Sequence, residues 1–180
     1  SEFKVQDNEL LIGNVGRMMA QKNQAFLIGV FAKFREVNQN AKLMIVNDGP
    51  LLEELKVLAK ELNVTDSVIF VGPRADLYRY FSAFDLFTLP SIYEGLGIVL
   101  VEAQANGLNC VASTNVPQEA DGTGNVRFVE LDEEKWLNTL KQVSYSRNDW
   151  DICKNKLVEA QYSIVDATKE LVNLYEKIIK

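Results

Sequence analysis

Leu86-Phe87-Thr88-Leu89-Pro90-Ser91-Ile92-Tyr93-Glu94-Gly95-Leu96-Gly97-Ile98-Val99-Leu100-Val101-Glu102 is the stretch that decides the fold. A strand over Asp85–Leu89 is stopped by Pro90, which has no N–H to continue a ladder. Two glycines follow, able to bend the backbone sharply. An apolar run from Ile98 then predicts a helix to Asn106, with Gly107 as its stop. Glu102 is the only charged side chain between Gly95 and Asn106, and a lone carboxylate there costs stability unless a partner or ligand takes it. Glu94 lies eight residues earlier, before the glycines. Two carboxylates flanking a glycine turn at a helix start suit a sugar nucleotide. The helix N-terminus faces the phosphates, and the carboxylates accept hydrogen bonds from hydroxyls.

The same alternation continues on both sides. Leu10–Val15 reads as a strand ending in Gly16, and Asn23–Val37 as a helix with Phe26, Leu27, Val30, Phe31 and Phe34 on one face. Strand Leu43–Val46 closes at Asn47-Asp48-Gly49-Pro50 and is followed by helix Leu51–Leu62. Strand Ser67–Val71 ends in Gly72-Pro73, before a short helix over Asp76–Ala83. Cys110–Ser113 and Val126–Val129 are further strands, and two or three helices finish the chain from Glu133 to Lys180. Alternating apolar strands and helices mean an α/β fold: a parallel sheet covered on both faces. In such sheets ligands bind beyond the carboxyl ends of the strands. Gly16-Arg17, Asp48-Gly49-Pro50, Gly72-Pro73-Arg74 and Ser91 to Gly97 all fall at those ends, which places the candidate site there.

The totals narrow the function classes. At 180 residues the chain reads as one domain, 1–180, with a hydrophobic fraction of 47%. A net charge of −6 argues against binding nucleic acid through a broad basic field. The chain has no histidine, which excludes histidine metal sites and any Ser/His or Cys/His catalysis within it. Cys110 reads as buried strand and Cys153 as helix, with no disulfide framework. No apolar run reaches a membrane span and no signal peptide is visible, so a reduced, cytoplasmic setting is expected.

Taken together, the motifs resemble the C-terminal domain of the family 4 glycosyltransferases, which have the two-domain GT-B fold. The family's Glu-x7-Glu motif appears as Glu94 to Glu102. Its first-strand signature appears as Gly16-Arg17 and Lys22, and the turn after the second strand as Asp48-Gly49-Pro50. Val68-Ile69-Phe70-Val71-Gly72 matches the next strand, and Pro90-Ser91 precedes the Glu motif. The match runs from about Leu10 to Leu131. Ile12 to Arg17, Gln21-Lys22-Asn23 and Glu102-Ala103-Gln104-Ala105 are similar to bacterial capsule and exopolysaccharide glycosyltransferases. Three positions depart from the pattern: Leu96 for a frequent Phe, Asn47 for a frequent glycine, and Asn109 for a common proline. Asn47 puts the shape of its loop in doubt, and Asn109 bears on rigidity.

The resemblance implies a Rossmann-like donor domain, the C-terminal half of the enzyme, with retaining transfer from a nucleoside diphosphate sugar and no metal or cofactor. It implies a UDP-sugar as donor partner. The saccharide or lipid-linked acceptor, and a helping histidine, would come from an N-terminal domain absent from this chain. Peripheral membrane association of the full-length enzyme is a further expectation, and Ser1-Glu2-Phe3 reads as a cloning remnant. Catalytic roles carry over to Glu94, Arg17 and Lys22. Arg17 and Lys22 are assigned to the diphosphate, where a guanidinium fork and an ammonium neutralise charge on the leaving group. Glu102 is assigned to the ribose hydroxyls and is placed on the first turn of its helix. Glu94 takes the donor-sugar hydroxyls, and the amides of Gly95, Leu96, Gly97 and Ile98 take phosphate and sugar oxygens. Gly16 shapes the first turn, and Gly72, Pro73 and Arg74 line the base pocket. The bland alternatives are a solvated arginine and lysine, a dipole-favoured helical glutamate, an exposed loop acid and an ordinary tight turn.

Other readings are weaker. Asp149-Trp150-Asp151 spells a metal-binding Asp-x-Asp but sits between helices, far from the strand ends, and reads as a helix cap. Leu171, Leu174, Tyr175 and Ile178 form one stripe on the closing helix, most simply core packing, with part of it set to face the absent domain. An NAD-dependent oxidoreductase needs Gly-x-Gly-x-x-Gly, whereas the first turn reads Gly13-Asn14-Val15-Gly16. A non-catalytic nucleotide-sugar binding module remains an alternative with the same site, as does half of a sugar-nucleotide epimerase.

Overall fold

The computed structural model describes Phe3 and residues 5–178; Ser1 and Glu2 of the terminal tripeptide, and the last residue of the closing stretch, Lys180, lie outside them. Six strands form one parallel sheet: β1 (Leu10–Val15), β2 (Ala41–Val46), β3 (Val68–Val71), β4 (Leu86–Leu89), β5 (Asn109–Ser113) and β6 (Val126–Val129), in the order β3-β2-β1-β4-β5-β6. The helices are α1 (Gln24–Val37), α2 (Leu52–Glu61), α3 (Leu77–Ala83), α4 (Ile98–Ala105), α5 (Glu133–Gln142), α6 (Trp150–Glu159) and α7 (Ile164–Ile178). Most strand and helix limits agree with the sequence reading to within a residue or two, because the apolar runs are sharply bounded by glycine, proline and asparagine.

Side chains on successive strand residues alternate between the two faces. On one face Ile12, Leu43, Ile45 and Leu86 pack with Leu27, Phe31 and Phe34 of α1, Leu55 of α2, and Trp136 and Leu140 of α5. On the other, Leu11, Val15, Met44, Phe87 and Leu89 pack with Tyr80 and Phe81 of α3 and Leu100 and Ala103 of α4. The sheet therefore carries a core on each face. The strand order turns back between β1 and β4, and in sheets of this kind the carboxyl edge at such a reversal is where ligands bind.

Two departures from the sequence reading stand out. The apolar stripe on α7 does not pack into the core: the helix buries none of its residues, and Leu171, Leu174, Tyr175 and Ile178 are each at least half exposed. An amphipathic period shows only that one face is apolar, not what covers it. The second concerns Arg147, which the sequence did not single out. Its guanidinium donates to the carbonyls of Phe81, Ser82 and Phe84 at the end of α3 and of Asn106 after α4. It thereby satisfies carbonyls that helix ends leave without partners. Asp149 caps α6 as expected, accepting from the Ile152 amide, and Cys110 and Cys153 are both buried and free.

Candidate functional site

The site is built from the loops that follow β1, β2 and β4. After β1 the chain passes Gly16 and Arg17 and makes a short 3-10 turn over Ala20–Lys22. Asn23 takes a left-handed conformation (φ 55°) to start α1, which asparagine tolerates. The Met18 amide donates to the Asp48 carbonyl, and the Leu51 amide donates to the Met18 carbonyl. A Cβ on Gly49 would fall 2.3 Å from the Met18 carbonyl oxygen, so the Asp48-Gly49-Pro50 turn is pressed onto the arginine loop. Asn47, where the family often has glycine, keeps a glycine-like φ of 114°, and its side chain accepts from the Asp48 amide. Asn109, in place of proline, donates to the carbonyls of Ser144 and Ser146 and so ties β5 to the segment before α6.

The loop after β4 is laced to the lysine turn. The Ile92 amide donates to the Gln21 carbonyl at 2.8 Å, and the Gln21 side chain donates back to the Tyr93 carbonyl at 3.0 Å. Lys22 Nζ donates to Glu94 Oε1 at 2.5 Å, with the two side chains 18% and 7% exposed. The same oxygen accepts from Ser91 Oγ at 2.6 Å, and the Ser91 carbonyl is held by Ser113 Oγ at 2.5 Å. Lys22 also lies against Gly16, where a Cβ would meet its Cδ at 3.3 Å. Gly97 starts α4 at φ +75°, a conformation that lets the loop turn into the helix without a Cβ penalty.

Gly16, Lys22 and Glu94 are thus brought together at the carboxyl edge between β1 and β4. Arg17, next to Gly16 in the chain, is exposed, and among the described residues its guanidinium has no partner. The turn residues Gly95, Leu96 and Ile98 are exposed beside Glu94, whereas Gly97 is buried. α4 begins at Ile98 as expected, but Glu102 is its fifth residue and therefore sits on the second turn rather than on the first, where the sequence reading placed it. Among the described residues its carboxylate has no hydrogen-bond or ion-pair partner, and it borders an apolar groove with Val101, Ala105, Leu157 and Tyr162. Partial burial raises its pKa above the ordinary carboxylate value. Gly72, Pro73 and Arg74 are exposed after β3, and the Arg74 guanidinium lies 5.8 Å from the ring centres of both Phe3 and Tyr80.

Reasoning from the sequence gave no role to Ser91, Ser113, Gln21 or Gln24. Gln21 and Ser113 reach loops 72 and 22 residues away, so no local pattern betrays them or Ser91, whereas Gln24 binds carbonyls only 7 and 8 residues back. Gln24, a polar residue on the inward face of an amphipathic helix, was the one with a visible signal.

Residues 1–122 match the family described as glycosyl transferases group 1. The chain belongs to that family. EpsF of Bacillus subtilis, named as a glycosyltransferase, is 34% identical over 172 residues, 93% of this chain and 45% of that protein. The Escherichia coli UDP-Gal:alpha-D-GlcNAc-diphosphoundecaprenol alpha-1,3-galactosyltransferase is 29% identical, covering 93% and 46%. Anabaena Alr3699/HepE, solved in complex with UDP and glucose, superposes with a TM-score of 0.77 at 21% identity, over 94% of this chain and 48% of that one. This group 1 chain spans about half the length of the curated relatives it matches. Its sheet is the Rossmann-like α/β unit of GT-B glycosyltransferases, as expected.

Proposed function

We propose that this chain is the donor-binding half of a retaining glycosyltransferase that moves a sugar from a UDP-sugar to a saccharide or lipid-linked acceptor in bacterial polysaccharide synthesis. The observation that carries the reading is the Lys22–Glu94 pair, set across the sheet's reversal point, with Arg17, unpaired among the described residues, on the same loop as Lys22. A lysine ammonium has three donors, and Glu94 occupies one. The others, with the Arg17 guanidinium, would hold the diphosphate and take up the charge left on it as the bond to the sugar breaks. Glu94, oriented by Ser91, would receive the sugar's hydroxyls and face the positive charge growing on its ring. Glu102 would accept from the ribose hydroxyls, and Gly72 and Pro73 would border the base. Two cationic side chains at the phosphate position make a divalent metal unnecessary.

The UDP held by HepE and the UDP-sugar named for the E. coli relative support a uridine donor. The exposed apolar stripe on α7 gives a second half of the enzyme a surface to meet. Catalysis needs the acceptor held in line with the donor carbon, so the chain alone would bind donor without transferring sugar. A thermal-shift screen of nucleotides and UDP-sugars tests the reading. A ligand at 100 times its dissociation constant adds about 2.7 kcal/mol of stability. UDP and a UDP-sugar should raise the melting temperature, and the absence of any nucleotide response would refute the proposal. Sugar transfer by the 180-residue chain alone would refute the half-enzyme part of it.

A further inference from the structure

We infer that Gln24 is a positioning residue for the phosphate-binding loop: it holds the peptide that carries Arg17, and the chain keeps a buried polar side chain there for binding rather than for stability. The inference rests on the reading that Arg17 meets a diphosphate. Gln24 is the first residue of α1 and is 1% exposed. Its Nε2 donates to two successive carbonyls, those of Gly16 at 3.4 Å and Arg17 at 3.2 Å. Successive carbonyls that converge on one donor fold the chain back at the Arg17 Cα. With Met18 tied to Asp48 on the next residue, both sides of that Cα are fixed.

The other end of the amide shows what the arrangement is for. Gln24 Oε1 is buried and, among the described residues, has no hydrogen-bond partner. Rotating the amide would turn its oxygen toward two carbonyl oxygens, so the orientation is set by Nε2. An unsatisfied buried acceptor is unfavourable, and the two bonds made in exchange are long. An apolar side chain of similar length would avoid the orphaned oxygen. Half-satisfied polar groups of this kind are expected where function overrides local stability. What Gln24 supplies is a fixed origin for the Arg17 side chain, which has no partner among the described residues and is long enough to sample many rotamers.

Calorimetric titration with UDP and with uridine tests this, using Gln24→Met and the near-isosteric Gln24→Glu, each alone and combined with Arg17→Ala. In the parent background both variants should weaken UDP binding by about 10-fold and leave uridine within about 2-fold. On the Arg17→Ala background they should cost UDP less than about 2-fold more, because the group they position is gone. Equal losses for UDP and uridine, or equal losses with and without Arg17, would overturn the inference, and so would failure of both variants to fold. Hydrogen exchange separates this claim from the functional reading. The Met18 amide should exchange about tenfold faster in Gln24→Met than in the parent without any ligand, since its opening becomes easier. Unchanged exchange overturns the positioning claim even where UDP binds. Faster exchange in Gln24→Met, where the parent itself fails to bind UDP, upholds the positioning of the loop and refutes only the proposed donor.

Discussion

Lys22 Nζ lies 2.5 Å from Glu94 Oε1, and this contact ties the loop after β1 to the loop after β4 across a gap of 72 residues in the chain. Lys22→Met would leave the nearly buried Glu94 with Ser91 as its remaining side-chain donor. Losing a charged partner in such a place costs about 1–3 kcal/mol. Urea unfolding should show that loss, and the double variant Lys22→Met/Glu94→Gln should be less destabilised than the sum of the single ones. Strictly additive losses would show that the pair contributes no coupling.

Arg17→Ala should weaken UDP binding far more than uridine binding. Charged hydrogen bonds contribute roughly 1.5–3 kcal/mol each, so the loss for UDP is expected at about 10- to 100-fold. Arg17 is exposed and makes no side-chain bond among the described residues, so its removal should leave thermal stability nearly unchanged. An equal effect on both ligands would show that Arg17 does not read phosphate.

Glu102→Gln should discriminate UDP from 2′-deoxy-UDP less well than the parent, because an amide oxygen accepts more weakly than a carboxylate. The pH dependence has a definite sign. Desolvation raises the Glu102 pKa above 4.5, so the folded chain holds this proton more tightly than the unfolded one. Its ionisation therefore removes stability as pH rises through the window just above 4.5, and the penalty disappears below it. Glu102→Gln should gain on the parent in urea unfolding across that window. A parent that instead gains stability relative to the variant there would contradict the assignment of cause.

Arg147→Met removes the donor shared by the ends of α3 and α4. Carbonyls at Phe81, Ser82, Phe84 and Asn106 lose it together, and an expected loss of about 2–4 kcal/mol follows from charged hydrogen bonds at helix C-termini. Thermal or urea unfolding measures it. UDP affinity, measured where the variant remains folded, should stay within about 2-fold, since Arg147 serves the helix ends rather than the strand-end loops.

The fold was legible because its signals are local. Pro90, Gly107 and Asn47-Asp48-Gly49-Pro50 punctuate apolar runs, and the alternation of those runs implies a parallel sheet. The loops of the site were legible for the same reason, since each follows a strand. What was not legible depends on contacts between distant segments. Glu94 and Lys22 could be named, but their direct pairing could not, because each was assigned to a ligand. Ser113 holds Ser91 from the neighbouring strand, and Arg147 reaches back across more than 40 residues to Asn106. For α7 the pattern gave the apolar face correctly and misjudged what lies against it, since periodicity carries no information about a partner.

We propose that the loops between β1 and β4 read a nucleoside diphosphate through the protein's own side chains and turn amides, without a divalent metal. Calorimetric titration of the 180-residue chain with UDP and with uridine, each in the presence of EDTA, tests it most directly. UDP should bind with chelator present, and uridine should bind at least about tenfold more weakly. Equal affinity for the two ligands, or UDP binding that vanishes on chelation, would contradict it.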